Sequence, residues 1–128
     1  MLQPFSFKWE SELFLAEHHL RSGPFNMPSN HYHDAYEIYY LVSGERRYFI
    51  KDRTYQINAG DLVLIDANEL HKTNEAGSPF HERILLNFKK EFLNGWAESG
   101  TYLSIFNRGV NVIRLAPRQQ GKIHKLLL

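Results

Sequence analysis

His31, His33 and Glu37 stand at even spacings at the head of a run of aromatic and β-branched residues. In an extended strand, successive side chains point to opposite faces, so these three share one face. On a helix they would diverge, because residues two apart differ by roughly 200° at the helical period. Tyr36, Ile38, Tyr39, Tyr40 and Val42 favour the strand, and Gly44 ends it. Two imidazoles and a carboxylate are therefore expected to project into one space. Tyr39 and Leu41 have the same parity and should line that space too.

Around this stretch the chain reads as many short strands. Phe5, Phe7 and Trp9 alternate, and Glu12 to Glu17 is a second apolar run; both read as short strands or an arm on the main body. Residues 21 to 30 hold Gly23, Pro24 and Pro28, which is loop chemistry. Arg46 to Lys51 alternates well enough to be the hairpin partner of the Tyr36 strand. Thr54 to Ile57 is a strand, and Asn58 to Asp61 is a turn in which Gly60 is free to take positive φ. Leu62 to Ile65 reads as buried on both sides. Asn74 to Pro79 reads as a loop. Glu82 to Phe88 is a strand with Ile84, Leu86 and Phe88 on one face, and Lys89 to Trp96 is a short helix. Val110 to Leu115 is a last strand. Pro117 opens a terminal helix whose stripe of Ile123, Leu126 and Leu127 is expected to be a dimerisation seam. Short strands joined by Gly, Asn and Asp turns predict a mainly β fold, a small antiparallel barrel or sandwich.

Composition narrows the function classes. A chain of 128 residues holds one ordinary domain. Hydrophobic residues at 43% and aromatic residues at 14% suit a folded globule rather than disorder. A net charge of +1 does not mark a nucleic-acid surface. With no cysteines there is no disulfide, thiolate nucleophile or cysteine-zinc site, which fits a reducing cytoplasm. No apolar run nears the roughly 20 residues that span a bilayer, and the first ten residues do not read as a signal peptide. The expected setting is cytoplasmic, with no membrane partner. Glu45-Arg46-Arg47 and Lys89-Lys90-Glu91 read as solvated faces, and His18, His19, His81 and His124 as surface histidines.

The pattern of His31, His33, Glu37 and Gly44 resembles the first motif of the cupin superfamily. Gly60 and His71 match its second motif in type and spacing. The departures are Phe25 for the opening Gly of the first motif, Asp66 and Asn68 for a Pro and a Gly of the second, and Glu75 for its closing Asn. A narrower resemblance covers nearly the whole chain. Tyr36-Glu37, Tyr55, Ile57, Gly60-Asp61, Asn68, His71, Arg83, Asn87-Phe88 and Phe92, in that order, resemble the amino-terminal sensor domain of AraC-type bacterial transcription regulators. The resemblance implies a cupin-type double-stranded β-helix or jelly-roll barrel over residues 1–116. A linking or dimerisation helix would begin at 117–128, and a DNA-binding domain with helix-turn-helix motifs would lie outside this chain. It further implies a small-molecule effector in the barrel, a sugar being the family's best-known type, and a homodimer.

The candidate pocket is His31, His33, Glu37, Tyr39, Leu41, Phe49 and His71. Three imidazoles and a carboxylate (His31, His33, Glu37, His71) suit a divalent metal such as Zn, Ni, Fe or Mn. The same four could instead hydrogen-bond an effector or one another. The leading reading is a non-enzymatic sensor. The alternative is a metal-dependent cupin enzyme of dioxygenase or isomerase type.

Overall fold

Strands of alternating parity dominate the computed structural model, which describes residues 5–21, 35–67, 69–75, 80–95 and 103–127. In chain order these are β1 (Phe5–Glu10), β2 (Phe14–Arg21), β3 (Tyr36–Ser43), β4 (Glu45–Ile50), β5 (Arg53–Asn58), β6 (Asp61–Ile65), β7 (His71–Glu75), β8 (His81–Phe88) and β9 (Val112–Arg114). One helix, α1, spans Pro117–Leu127. The strands form a six-stranded sheet in the order β1-β2-β8-β3-β6-β9 and a three-stranded sheet in the order β5-β4-β7. Every pairing is antiparallel. The larger sheet contributes Tyr39, Leu41, Val63, Ile65 and Leu85 to the core, and the smaller contributes Tyr48, Ile50 and Ile57. Burying a side chain of this size stabilises by about 1.5–3 kcal/mol.

Strand β3 shows why this sequence folds this way. Glu37, Tyr39 and Leu41 are buried as parity requires. Tyr40 is also buried, but on the opposite face, where its hydroxyl meets His124 Nδ1 of α1 at 3.2 Å. The expected hairpin with β4 does not form. Strand β3 pairs with β6 and β8, and β4 pairs with β5 and β7 in the other sheet. The reason is Gly44, which takes φ +94°; a Cβ there would stand 2.4 Å from Phe80 O. The backbone turns a corner so tight that only glycine fits, and the chain passes from one sheet to the other.

The polar strand β7 falls partly where a loop was expected, and the expected helix over Lys89 to Trp96 is a 3₁₀ turn at Lys90–Leu93; Trp96 lies outside the described residues. Gly60 does take positive φ, +91°, and a Cβ would meet the Gln120 side chain at 2.5 Å. This seats the first turns of α1 against the β5–β6 turn. Gln119 Oε1 accepts the Ala116 N–H at 2.9 Å, half of a capping box at the helix start.

Candidate functional site

Two polar clusters occupy the space between the sheets. The first centres on Glu37, which is 2% exposed. Its Oε2 accepts the Tyr48 hydroxyl from the opposite sheet, and its Oε1 lies 3.3 Å from His71 Nε2. His71 Nδ1 lies 2.9 Å from Glu69 O. A carbonyl only accepts, so Nδ1 carries a proton. A carboxylate also only accepts, so the contact at Nε2 is attractive only with a second proton there or a cation between the two groups. Burial pulls the His71 pKa down, but the hydrogen bond and charge of Glu37, with the Glu69 carbonyl, outweigh it and raise the pKa. Burial first, then the charge and hydrogen bond of Glu37, hold the Tyr48 hydroxyl protonated well above the usual tyrosine range. Glu69 is itself anchored, by Lys51 Nζ at 3.1 Å and Asn111 Nδ2 at 2.9 Å.

The second cluster centres on Arg83, which sits between His19 and Leu41 in the sheet register. It is 4% exposed, and its Nη2 donates to Glu17 Oε1 at 2.6 Å. His19 Nε2 stands 3.5 Å from the same oxygen. The Arg83 guanidinium lies 5.9 Å from the centre of the Tyr39 ring. Arg83 Nη1, Tyr39 Oη and Thr73 Oγ1 are buried with no hydrogen-bond partner. Burial raises the Tyr39 pKa, Arg83 and Arg46 oppose that rise, Glu37 adds to it, and the Thr73 hydroxyl close by lowers it a little. Arg46, 1% exposed, enters this space from β4.

Of the expected pocket residues, Glu37, Tyr39, Leu41 and His71 are buried between the sheets, and Glu37 and His71 touch. His31 and His33 lie outside the described residues. Phe49 is a correction: β4 buries Arg46, Tyr48 and Ile50, so Phe49 points outward and is 37% exposed. Arg46 is likewise no solvated turn residue. Among the described residues no group of three His, Cys, Asp or Glu side chains could hold a metal ion. Glu37 and His71 alone supply half of the expected ligand set, with the His71 Nδ1–carbonyl contact that orients a metal-binding imidazole.

The histidines expected at the surface are all engaged. His18 bonds Glu82 at 2.6 Å, His19 is buried beside Glu17, His81 is 1% exposed, and His124 meets Tyr40. The stripe on α1 is also rearranged. Ile123 and Leu127 are half-buried with Gln120 and His124, whereas Leu126 is 79% exposed. Sequence reasoning missed Glu17, Tyr48 and Thr73 as site residues. The available signal was parity: Tyr48 alternates with Arg46 and Ile50, and Thr73 follows His71 by two.

Comparison with known proteins places this geometry. Solved structures with the same fold include a cupin 2 conserved barrel domain protein from Salinispora arenicola. It is 12% identical with a TM-score of 0.57, over 80% of this chain and 83% of that one. An RmlC-like cupin with a double-stranded β-helix fold from Methanocaldococcus jannaschii is 18% identical with a TM-score of 0.58, over 68% and 81%. Oxalate decarboxylase from Bacillus subtilis, a protein with Mn(II) centres, is 18% identical with a TM-score of 0.53, over 67% of this chain and 25% of that one. An uncharacterized HTH-type transcriptional regulator of Bacillus subtilis, YbfI, is 37% identical over 46 residues, 36% of this chain and 17% of the regulator. The fold is the cupin double-stranded β-helix. The profile of the AraC-like ligand binding domain matches residues 20–123, and the chain belongs to that family.

Proposed function

We propose that this chain is the effector-sensing domain of a helix-turn-helix transcription regulator. A small molecule would bind between the sheets, and α1 would pass its presence to DNA-binding units outside these 128 residues. The observation that carries this reading is the pair of adjacent residues on β3. Tyr39 faces the polar interior, and Tyr40 faces α1 through His124. A ligand that binds one arrangement of β3 better than another shifts that equilibrium by its difference in affinity. The regulatory relative and the family match support a sensor over an enzyme. No helix among the described residues is long and apolar enough to cross a membrane. The exposed Leu126 is the proposed point of self-association. Leu126→Asp should weaken it in sedimentation, and an unchanged species would remove α1 from the interface.

The test is DNA occupancy by the intact gene product, with and without cell extract fractions enriched in small molecules. Occupancy should change with one fraction, and Tyr40→Phe should blunt the change. Occupancy indifferent to every fraction would overturn the sensing role.

One contact favours a second reading, the approach of His71 Nε2 to Glu37 Oε1, two groups whose chemistry suits a divalent cation as well as a shared proton. His31, His33, Glu37 and His71 would hold it, and it would supply Lewis-acid or oxygen-activating chemistry. Elemental analysis of purified protein beside His71→Ala separates the two. Stoichiometric metal lost in the variant supports this reading, and metal-free wild-type protein at neutral pH sinks it.

A further inference from the structure

Three buried hydrogen-bond donors, Arg83 Nη1 and the Tyr39 and Thr73 hydroxyls, have no partner at good hydrogen-bond geometry, and the two hydroxyls lie close enough to act on one another. Arg83 Nη1 can only donate, and the Tyr39 and Thr73 hydroxyls each hold a proton to give. Buried polar groups left unpaired are rare and costly. Here they come from both sheets, Tyr39 and Arg83 from the larger and Thr73 from the smaller. Glu17 already takes the other arm of the Arg83 guanidinium, at 2.6 Å, so Nη1 is held in place rather than free to swing. Arg46 adds a second guanidinium whose charge reaches the Tyr39 hydroxyl.

We propose that this cluster seats the carboxylate of a small organic acid, which Arg83 Nη1 and the Tyr39 and Thr73 hydroxyls would bind. This deepens the sensing reading and rests on it, by naming the chemical class of the effector. A neutral polyol is the competing occupant. It would bring hydroxyls that must themselves be paired, while the three unmatched atoms are all able to donate. A carboxylate brings only acceptors, with about four lone-pair sites, and two guanidiniums nearby favour its charge. The other end of the chamber differs, because the Glu37 carboxylate there is already matched by Tyr48 and His71.

The probe is acetate against its neutral isostere acetamide, at constant ionic strength in chloride, followed by amide chemical shifts of the purified domain. Acetate should saturate shifts at Tyr39, Leu41, Thr73 and Arg83, and acetamide should not. The Tyr39→Phe/Thr73→Val double variant should bind acetate at least about tenfold more weakly, as expected for lost hydrogen bonds to a charged group. Melting temperature confirms that the variant is folded. Because it removes two hydroxyls that make no well-formed hydrogen bond to the rest of the protein, it should melt close to wild type. Equal binding of acetate and acetamide, no binding of either, or undiminished acetate binding by the variant would each overturn the proposal. Glycerol or D-glucose shifting the same amides where acetate fails would overturn the acid assignment and leave the sensing role standing.

Discussion

The two ends of the chamber are built from similar side chains and are left in opposite states. At one end a carboxylate, a phenol and an imidazole satisfy one another, and the backbone of Glu69 completes the set. At the other, Arg83 satisfies Glu17 while three further donors have no partner at good hydrogen-bond geometry. Chemistry that closes on itself contributes to stability and order. Chemistry left open lowers stability and is retained at sites that something else completes. The difference separates the part of the interior that holds the barrel together from the part we propose to read a ligand.

Substitutions can break this division. Glu37→Leu should have the largest effect. It strands the Tyr48 hydroxyl and the His71 imidazole in the core, at about 3–5 kcal/mol, the cost of breaking a buried pair; denaturant unfolding measures it. Tyr48→Phe removes one donor to that carboxylate and should cost about 1.5–3 kcal/mol in the same assay. A loss below that of an exposed substitution would mean the Glu37 end is not closed. The next effect is pH-dependent. His71 has its folded pKa raised above 6.5, so its contribution is fully present below about pH 6.5 and is lost as pH rises through the higher folded value. Stability measured from pH 6 upward should therefore fall, and His71→Gln should flatten that part of the curve. The smallest effect sharpens the contrast from the other side. Tyr39→Phe and Thr73→Val should each leave stability within about 0.5 kcal/mol of wild type or raise it, because the hydroxyls removed make no well-formed hydrogen bond to the rest of the protein.

How much of this was legible in the sequence follows from which rule each strand obeys. Strand β3 was readable because parity is local: Glu37, Tyr39 and Leu41 fell inward as their spacing required. Strand β8 showed its two faces in the sequence but not which of them points inward. Ile84, Leu86 and Phe88 share a face, and it is Arg83, Leu85 and Asn87 that point between the sheets. The apolar face is covered from outside instead. The Phe106 ring packs on Phe88 at 5.8 Å, and Phe92 lies 6.4 Å from it. The rule that apolar means inward fails where polar side chains share the space between the sheets with the core. Phe49 failed by the same logic, since its neighbours Tyr48 and Ile50 have the inward parity. The buried His19 and His81 looked like surface residues because what surrounds them comes from strands far away in sequence. The β3–β4 hairpin failed because a lone glycine reads as a turn, while its corner geometry depends on Phe80, which lies far along the chain.

The antiparallel register of β3 and β8 also acts as a ruler. Glu37 lies opposite Asn87 and Leu41 opposite Arg83, four residue steps apart on either strand. At about 3.3 Å of rise per residue that is about 13 Å of backbone from one end to the other. A molecule that touched side chains of both rows would have to reach across that length.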